Sequence, residues 1–401
     1  MKLSRNQRYL LASLLLLLIG GGAGYAFRAQ AQAAWHSYRF ESAMRGAMKC
    51  TEGTDVITCA RPFIKTLMEM RPANDVLDQL SDRIVPIRCH YLGHIIGQEL
   101  YRQSQSDEIA TSQCSRSCES ACLHGAVGEA FMTTAGISED DFDPKHLSVE
   151  ELRKIGGRLC ESGSCHGVGH ALFQAYDSFA PALELCREVA TGARALECAR
   201  GTFMEYSNII SARSVWESYS KETDVNSLYG ICAEIEGVAR DACYYYFPGM
   251  ILGVLQRQGT VLSEQEKIST MQGLCDRVPE ADRTRCVSGV GVHFYSYLLM
   301  RSPEALRICE GFASLSDQAS CAFGMLSMSL ETGGIEDKFT YCKAFAEATV
   351  RESCFQSIFY ITNFRGKPQN AEELCKGESL CLTASTRSAL DPFDFISARL
   401  P

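Results

Sequence analysis

Residues 309–321 read Cys-Glu-Gly-Phe-Ala-Ser-Leu-Ser-Asp-Gln-Ala-Ser-Cys, and residues 342–354 again begin and end on cysteines twelve positions apart. Working outward, Cys186 and Cys198 repeat the spacing of twelve, while Cys232–Cys243 and Cys275–Cys286 have eleven. The second members of these pairs follow one another at 45, 43, 35 and 33 residues. The register extends back through Cys165, Cys122 and Cys89 at intervals of 33, 43 and 33. A period in this range marks an array of supersecondary units rather than one closed domain.

Each unit reads as a helical hairpin. Ser302-Pro303-Glu304 offers an N-cap, a proline at the first helical position and an acid in the first turn. Ser263 with Glu266 and Ser148 with Glu151 have the spacing of capping boxes. Alternating strand-like runs bounded by hairpin turns are missing from the sequence. One cysteine falls late in the first helix of a unit and the other early in the second, so antiparallel packing brings them together. The spacing therefore predicts local disulfides Cys50–Cys59, Cys160–Cys165, Cys186–Cys198, Cys232–Cys243, Cys275–Cys286, Cys309–Cys321, Cys342–Cys354 and Cys375–Cys381. Cys89, Cys114, Cys118 and Cys122 share two further bonds, and spacing leaves their pairing open. The fold class expected is all-α: helical-hairpin repeats, as a solenoid or toroid, stapled within each repeat. Residues 35–210 form a histidine-rich half and residues 211–401 a second stapled half.

Composition places the array in a compartment. Twenty cysteines in 401 residues suit an oxidising environment, and the 46% hydrophobic content excludes global disorder. The net charge of −9 gives no footprint for nucleic acid. Residues 9–27 carry no charge and follow Lys2, Arg5 and Arg8. That length suits one transmembrane helix, with residues 1–34 as cytoplasmic tip and anchor. A cleaved signal peptide is the other reading, with Gly24-Tyr25-Ala26 or Ala29-Gln30-Ala31 near the cut. The anchor is preferred because the run exceeds the usual ~7–15-residue core of a signal peptide. The expected location is the cell membrane, single-pass, with the bulk of the chain in the periplasm or outside.

Histidine supplies the chemistry. Five of the eight histidines follow the repeat cysteines: His90 and His94 after Cys89, His124 after Cys122, His166 and His170 after Cys165. Chance would give about 0.15 pairs at i,i+4, so the two present carry information. Setting each cysteine at zero and advancing 100° per residue puts the five rings between about 100° and 200°, on one face. If the second helices stack in parallel, those faces line one groove, where four or five imidazoles suit Zn, Cu or Fe. Glu129, Glu205 and His293 fall near 340°, pointing elsewhere or standing behind the ligands. His36 and His146 read as ordinary residues, the latter in a loop beside the acidic run Glu139-Asp140-Asp141. Gly125, Gly201, Gly289 and Gly324 each lie three residues after a repeat cysteine; Gly289 and Gly324 are expected to seat the first helix of the hairpin closely, while Gly125 and Gly128 beside His124 could also admit a ligand. A covalent haem at Cys160-x4-Cys165-His166 and an iron–sulfur cluster at Cys114, Cys118 and Cys122 are disfavoured by spacing.

Cys165-His166-Gly167-Val168-Gly169-His170 and Cys122-Leu123-His124-Gly125 resemble segments of exported bacterial Cys/His-rich helical-repeat proteins, and the plan resembles the disulfide-stapled Sel1-like repeats. His124-Gly125-x-x-Gly128 and Cys165-His166-Gly167 are also similar to segments of lanthionine cyclases, which are zinc-binding α/α toroids. The Trp-Cys zinc ligand element of that family is missing, so its chemistry does not carry over. The functional expectation is a metalloprotein, an oxidoreductase or metal-dependent modifying enzyme. The alternative is a non-catalytic envelope scaffold that binds a protein partner along its surface, with a metal carrier or sensor as a third class.

Overall fold

The computed structural model describes residues 30–389 apart from 53–55, 116, 119, 137–147, 162–164, 177, 212–223, 261, 299–307, 330–334 and 365–368. The anchor expected over residues 9–27, the loop of residues 139–141 with His146, and Ser302-Pro303-Glu304 lie outside the described residues. Among the described residues no helix is long and apolar enough to cross a membrane.

Every regular element among the described residues is a helix. The chain opens with α1 (30–50), α2 (Val56–Met70) and α3 (Ala73–Arg83). Hairpins follow, each made of a first and a second helix: α3 with α4 (Pro86–Ser104), α5 (Asp107–Ser112) with α6 (Ala121–Thr134), and α7 (Val149–Glu161) with α8 (Cys165–Tyr176). Next come α9 (Phe179–Val189) with α10 (Ala193–Ser211), α11 (Val225–Glu234) with α12 (Val238–Arg257), and α13 (Glu264–Leu274) with α14 (Glu280–Leu298). A helix described over 308–310 (α15) leads to α16 (Leu315–Ser329), α17 (Ile335–Ala344) to α18 (Ala348–Phe364), and α19 (Ala371–Cys375) to α20 (Ser379–Ser385).

Local chemistry sets the boundaries. Ser263 and Glu266 close a reciprocal capping box at α13, and Pro86 opens α4 where its missing N–H costs nothing. Asp224 accepts from the Ser227 amide at the start of α11, and Ser106 accepts from the Ile109 amide at α5. The first helices bury one stripe: α7 turns Leu152, Gly156, Leu159 and Cys160 inward. The second helices carry the largest buried side chains, among them Phe131, Phe203, Tyr244, Phe247, Phe294 and Phe355. Two apolar clusters result, one running from Phe40 to Cys198 and the other from Phe173 to Ala384, interleaved at α8–α10.

All twenty cysteines are disulfide-bonded. Eight bonds join near neighbours in sequence: Cys50–Cys59, Cys160–Cys165, Cys186–Cys198, Cys232–Cys243, Cys275–Cys286, Cys309–Cys321, Cys342–Cys354 and Cys375–Cys381. The pairing that spacing left open is Cys89–Cys118 and Cys114–Cys122. Cys89–Cys118 ties α4 to the segment that enters α6, so it staples one hairpin to the next.

The second helices form a continuous row, each packed on the next from α4 to α18, and α14 also touches α4. The row therefore curves back on itself rather than running straight. Glycine sets its spacing. A Cβ on Gly97 would fall inside the carbonyl oxygen of Cys122, and one on Gly125 inside that of His94. Gly169 and Gly201 do the same for the carbonyls of Cys198 and His166, and Gly291 and Gly324 for those of Cys321 and Ser288. Contacts advance together along both chains, Gly93 on Ala121 and Gly97 on Ala126, so neighbouring second helices run parallel. The glycines after the repeat cysteines thus face the neighbouring second helix, not the first helix of their own hairpin. The correction has a simple cause: a disulfide-sized gap already separates the two helices of a hairpin, whereas the parallel row closes to backbone contact only where Cβ is missing.

Candidate metal centre

The parallel row carries α4, α6 and α8 side by side, and their histidine faces meet. The ring centres of His90 and His94 lie 4.7 Å apart, those of His166 and His170 4.9 Å. His124 sits between the pairs, 5.6 Å from His90, 5.7 Å from His94, 4.4 Å from His166 and 5.9 Å from His170. His94 and His170 close the ring of contacts at 5.0 Å. Two groups of three can each offer nitrogens within 4.8 Å of one another: His90, His94, His124 and His124, His166, His170. These groups could hold a metal ion.

Neighbouring acceptors fix the tautomers. The Cys118 carbonyl is 3.2 Å from His90 Nδ1 and can only accept, so the proton lies on Nδ1 and the Nε2 lone pair turns to His94 Nε2, 3.0 Å away. Two nitrogens bound to one tetrahedral ion at about 2.0 Å would stand about 3.3 Å apart, close to that separation. His170 Nδ1 donates to Glu205 Oε2 at 2.6 Å, and Gln174 Nε2 donates to the other oxygen of Glu205 at 2.8 Å. The Nε2 of His170 is buried with no hydrogen-bond partner, as is Nδ1 of His124. Buried nitrogens normally find a partner, so two orphans in one cluster call for a further group. A carboxylate behind a ligating imidazole is the usual support that orients the ring and raises its basicity. Glu205→Gln keeps an acceptor but removes the charge, and metal affinity should fall about 10- to 100-fold by chelator competition. An unchanged affinity would remove Glu205 from the account.

His90, His94, His124 and His166 are all held toward the neutral form. Burial, then the charges that His170 and His166 would add, takes the pKa of His90 down to about 3. Burial likewise holds His94 and His124 well below the ordinary value of 6.5. For His166, burial outweighs the opposing pull of Glu197. Because the folded values lie below the unfolded one, the unfolded chain binds more protons between them. Stability from these groups is whole above pH 6.5 and is lost as pH falls toward the folded value of His90, about 3. Each group contributes up to about 1.4 kcal/mol per pH unit inside that window. Calorimetry of the metal-free protein should give a Tm nearly level above pH 7 that drops steeply from pH 6 to 4, with more than one proton taken up on unfolding. A level Tm down to pH 4 would show that the rings are not buried together.

Other residues fall differently. Glu129 is bound to Arg102, whose Nε donates at 2.7 Å, so it belongs to a neighbouring ion pair and not to the histidines. Glu205 reaches His170 although its angle on its own helix points away from the histidine face. The close approaches of Gly169 to Cys198 and of Gly201 to His166 draw α8 and α10 so near that this position on α10 faces the helix before it. His293 is buried against Gly249, where a Cβ would overlap its ring, and burial lowers its pKa to about 3. His36 is exposed. Cys160 and Cys165 are bonded to each other, and Cys114, Cys118 and Cys122 are also in disulfides. None of these thiols is left to take haem or a cluster.

Three further residues on α10 border the site. The Glu197 carboxylate is 3.7 Å from His166 Nδ1, and Arg200 donates to Glu197 at 2.8 Å while lying 4.6 Å over the Tyr245 ring. Burial would raise the Glu197 carboxyl, but Arg200 and His166 outweigh it and hold the pKa at about 2. Met204 Sδ lies 3.3 Å from His166 Nε2. Counted from Cys198, these residues fall near 260°, 200° and 240°, beside the face that carries the histidines one hairpin earlier. Extending the angular count one repeat past the last histidine would have found them.

No family model, curated protein or solved structure matches this chain.

Proposed function

We propose that this chain is an exported, membrane-anchored helical-repeat metalloprotein that holds a transition-metal ion between His90, His94, His124, His166 and His170. One observation carries the reading: five imidazoles from three consecutive hairpins converge, and buried nitrogens of His124 and His170 meet no hydrogen-bond partner. All-nitrogen donors favour Zn, Cu or Fe over Ca or Mg. The fully oxidised cysteine set supports export to an oxidising compartment, and the uncharged run of residues 9–27 supports the anchor. The disulfides hold the hairpins in sequence order, and the glycine seams hold the three histidine helices at a fixed distance. A rigid site of this kind exists before the ion arrives, so little ordering cost is deducted from binding.

The test is elemental analysis of protein purified without a histidine tag. About one or two equivalents of a transition metal are expected. His94→Ala and His170→Ala should lose that metal and keep the helical circular dichroism of the parent. Metal-free parent protein that also takes up none of Zn(II), Co(II) or Cu(I) would favour the scaffold reading, with a partner bound along the helical row.

A further inference from the structure

We infer that Met204 is a ligand of this site and that the site is built for copper, taken as Cu(I). The inference rests on the metal reading above and adds the identity of the ion and a sulfur donor.

The starting observation is a thioether sulfur turned toward a histidine of the cluster. Met204 is buried on α10, and its thioether sulfur faces His166 Nε2 at 3.3 Å. On the other side of the same ring, the Glu197 carboxylate stands 3.7 Å from Nδ1. Arg200 pins Glu197 in place at 2.8 Å. The carboxylate favours the imidazole proton on Nδ1, and in that tautomer Nε2 turns its lone pair to the sulfur; in the other tautomer the contact is an N–H···S hydrogen bond. A thioether sulfur offers only lone pairs. The Tyr246 hydroxyl donates to the sulfur at 3.8 Å and helps to hold the side chain in place.

A cation shared by His166 Nε2 and the Met204 sulfur fits the separation. With bonds of about 2.0 Å to nitrogen and about 2.3 Å to sulfur, near-tetrahedral geometry separates the two donors by about 3.3 to 3.5 Å. The observed 3.3 Å falls at the short end of this span. His166 belongs to the group with His124 and His170, so with Met204 the donor set proposed for this ion is three nitrogens and one sulfur. Such a four-donor set suits a closed tetrahedral site. Thioether sulfur is a soft ligand that selects Cu(I), whereas Zn(II) takes its sulfur from thiolate. No cysteine thiolate is left in the chain to compete. The bland alternative is a methionine that only fills space beside a histidine, and leucine would fill that space equally well.

The experiment compares the metal-free full chain with Met204→Leu, with ascorbate holding copper as Cu(I) while leaving the disulfides intact. A Cu(I) chelator serves as competitor in one arm and a Zn(II) chelator in the other. The variant should bind Cu(I) about 10-fold or more weakly, with Zn(II) affinity within about 3-fold of the parent. Copper-edge X-ray absorption of the Cu(I)-loaded parent should show a sulfur neighbour near about 2.3 Å, missing from the variant. A parent with nitrogen neighbours alone overturns the inference however the variant folds. Equal Cu(I) affinity in parent and variant also overturns it, while leaving the histidine site standing. A parent that binds neither ion removes the metal reading itself.

Discussion

His124→Ala should cost more metal affinity than any other single histidine replacement, about 100-fold or more. His124 is the member common to both three-histidine groups, and its ring lies between the pair on α4 and the pair on α8. Removing it leaves His90 and His94 as a bare pair and leaves His166, His170 and the Met204 sulfur one donor short of a tetrahedral set. If the roughly 10–16 kcal/mol of a structural zinc site is shared by four ligands, one ligand is worth about 3 kcal/mol, which is about two orders of magnitude in affinity. His90→Ala touches only one of the groups and should cost less. His36→Ala, on an exposed stretch of α1, should leave affinity within about 2-fold. Competition titrations with Co(II) on all three variants would rank them. Equal losses at His36 and His124 would contradict the cluster.

The second large effect concerns the backbone. Gly201→Val should destabilise the protein by about 3 kcal/mol or more, because the new side chain meets main chain that cannot give way. The Cβ alone would overlap the His166 carbonyl oxygen and come within 2.9 Å of the carbonyl carbon and 3.1 Å of the His170 amide. Separating α8 from α10 also parts His170 from Glu205 and His166 from Met204, so metal affinity should fall along with stability. Gly128→Ala is the matched control. It lies inside α6 with nothing within 4 Å of a built Cβ, and alanine there should stabilise by about 0.5–1 kcal/mol. Thermal melts of the two variants beside the parent decide the matter. A Gly201→Val protein that melts with the parent would mean that the helices do not touch at that seam.

Much of this architecture can be read from the cysteines because a disulfide imposes both a distance and an order along the chain. Spacings of eleven and twelve force a turn between each pair, and the capping signals at Ser263 and Ser148 mark where helices begin. The pairing of Cys89, Cys114, Cys118 and Cys122 is not readable from spacing, because four cysteines spread over two neighbouring hairpins allow several closures. The common face of the five histidines follows from angle alone, since the second helices run parallel and in register. Glu205 and Met204 needed more than angle. Their approach to α8 depends on how far α10 slides along and presses against it, which the contacts of Gly169 with Cys198 and of Gly201 with His166 decide. The direction of the glycines was misread for the same reason: a single helix shows that a close approach exists, but not which neighbour makes it. Glu129 shows the limit from the other side, because an arginine one hairpin away, Arg102, takes its charge before the histidines can.

The most direct measurement is anomalous diffraction from crystals of the full chain, recorded at the absorption edge of the metal it retains. The account predicts a peak within about 2.5 Å of nitrogens from at least three of His90, His94, His124, His166 and His170. A metal-soaked crystal with the five rings still clustered and no anomalous peak among them would contradict it.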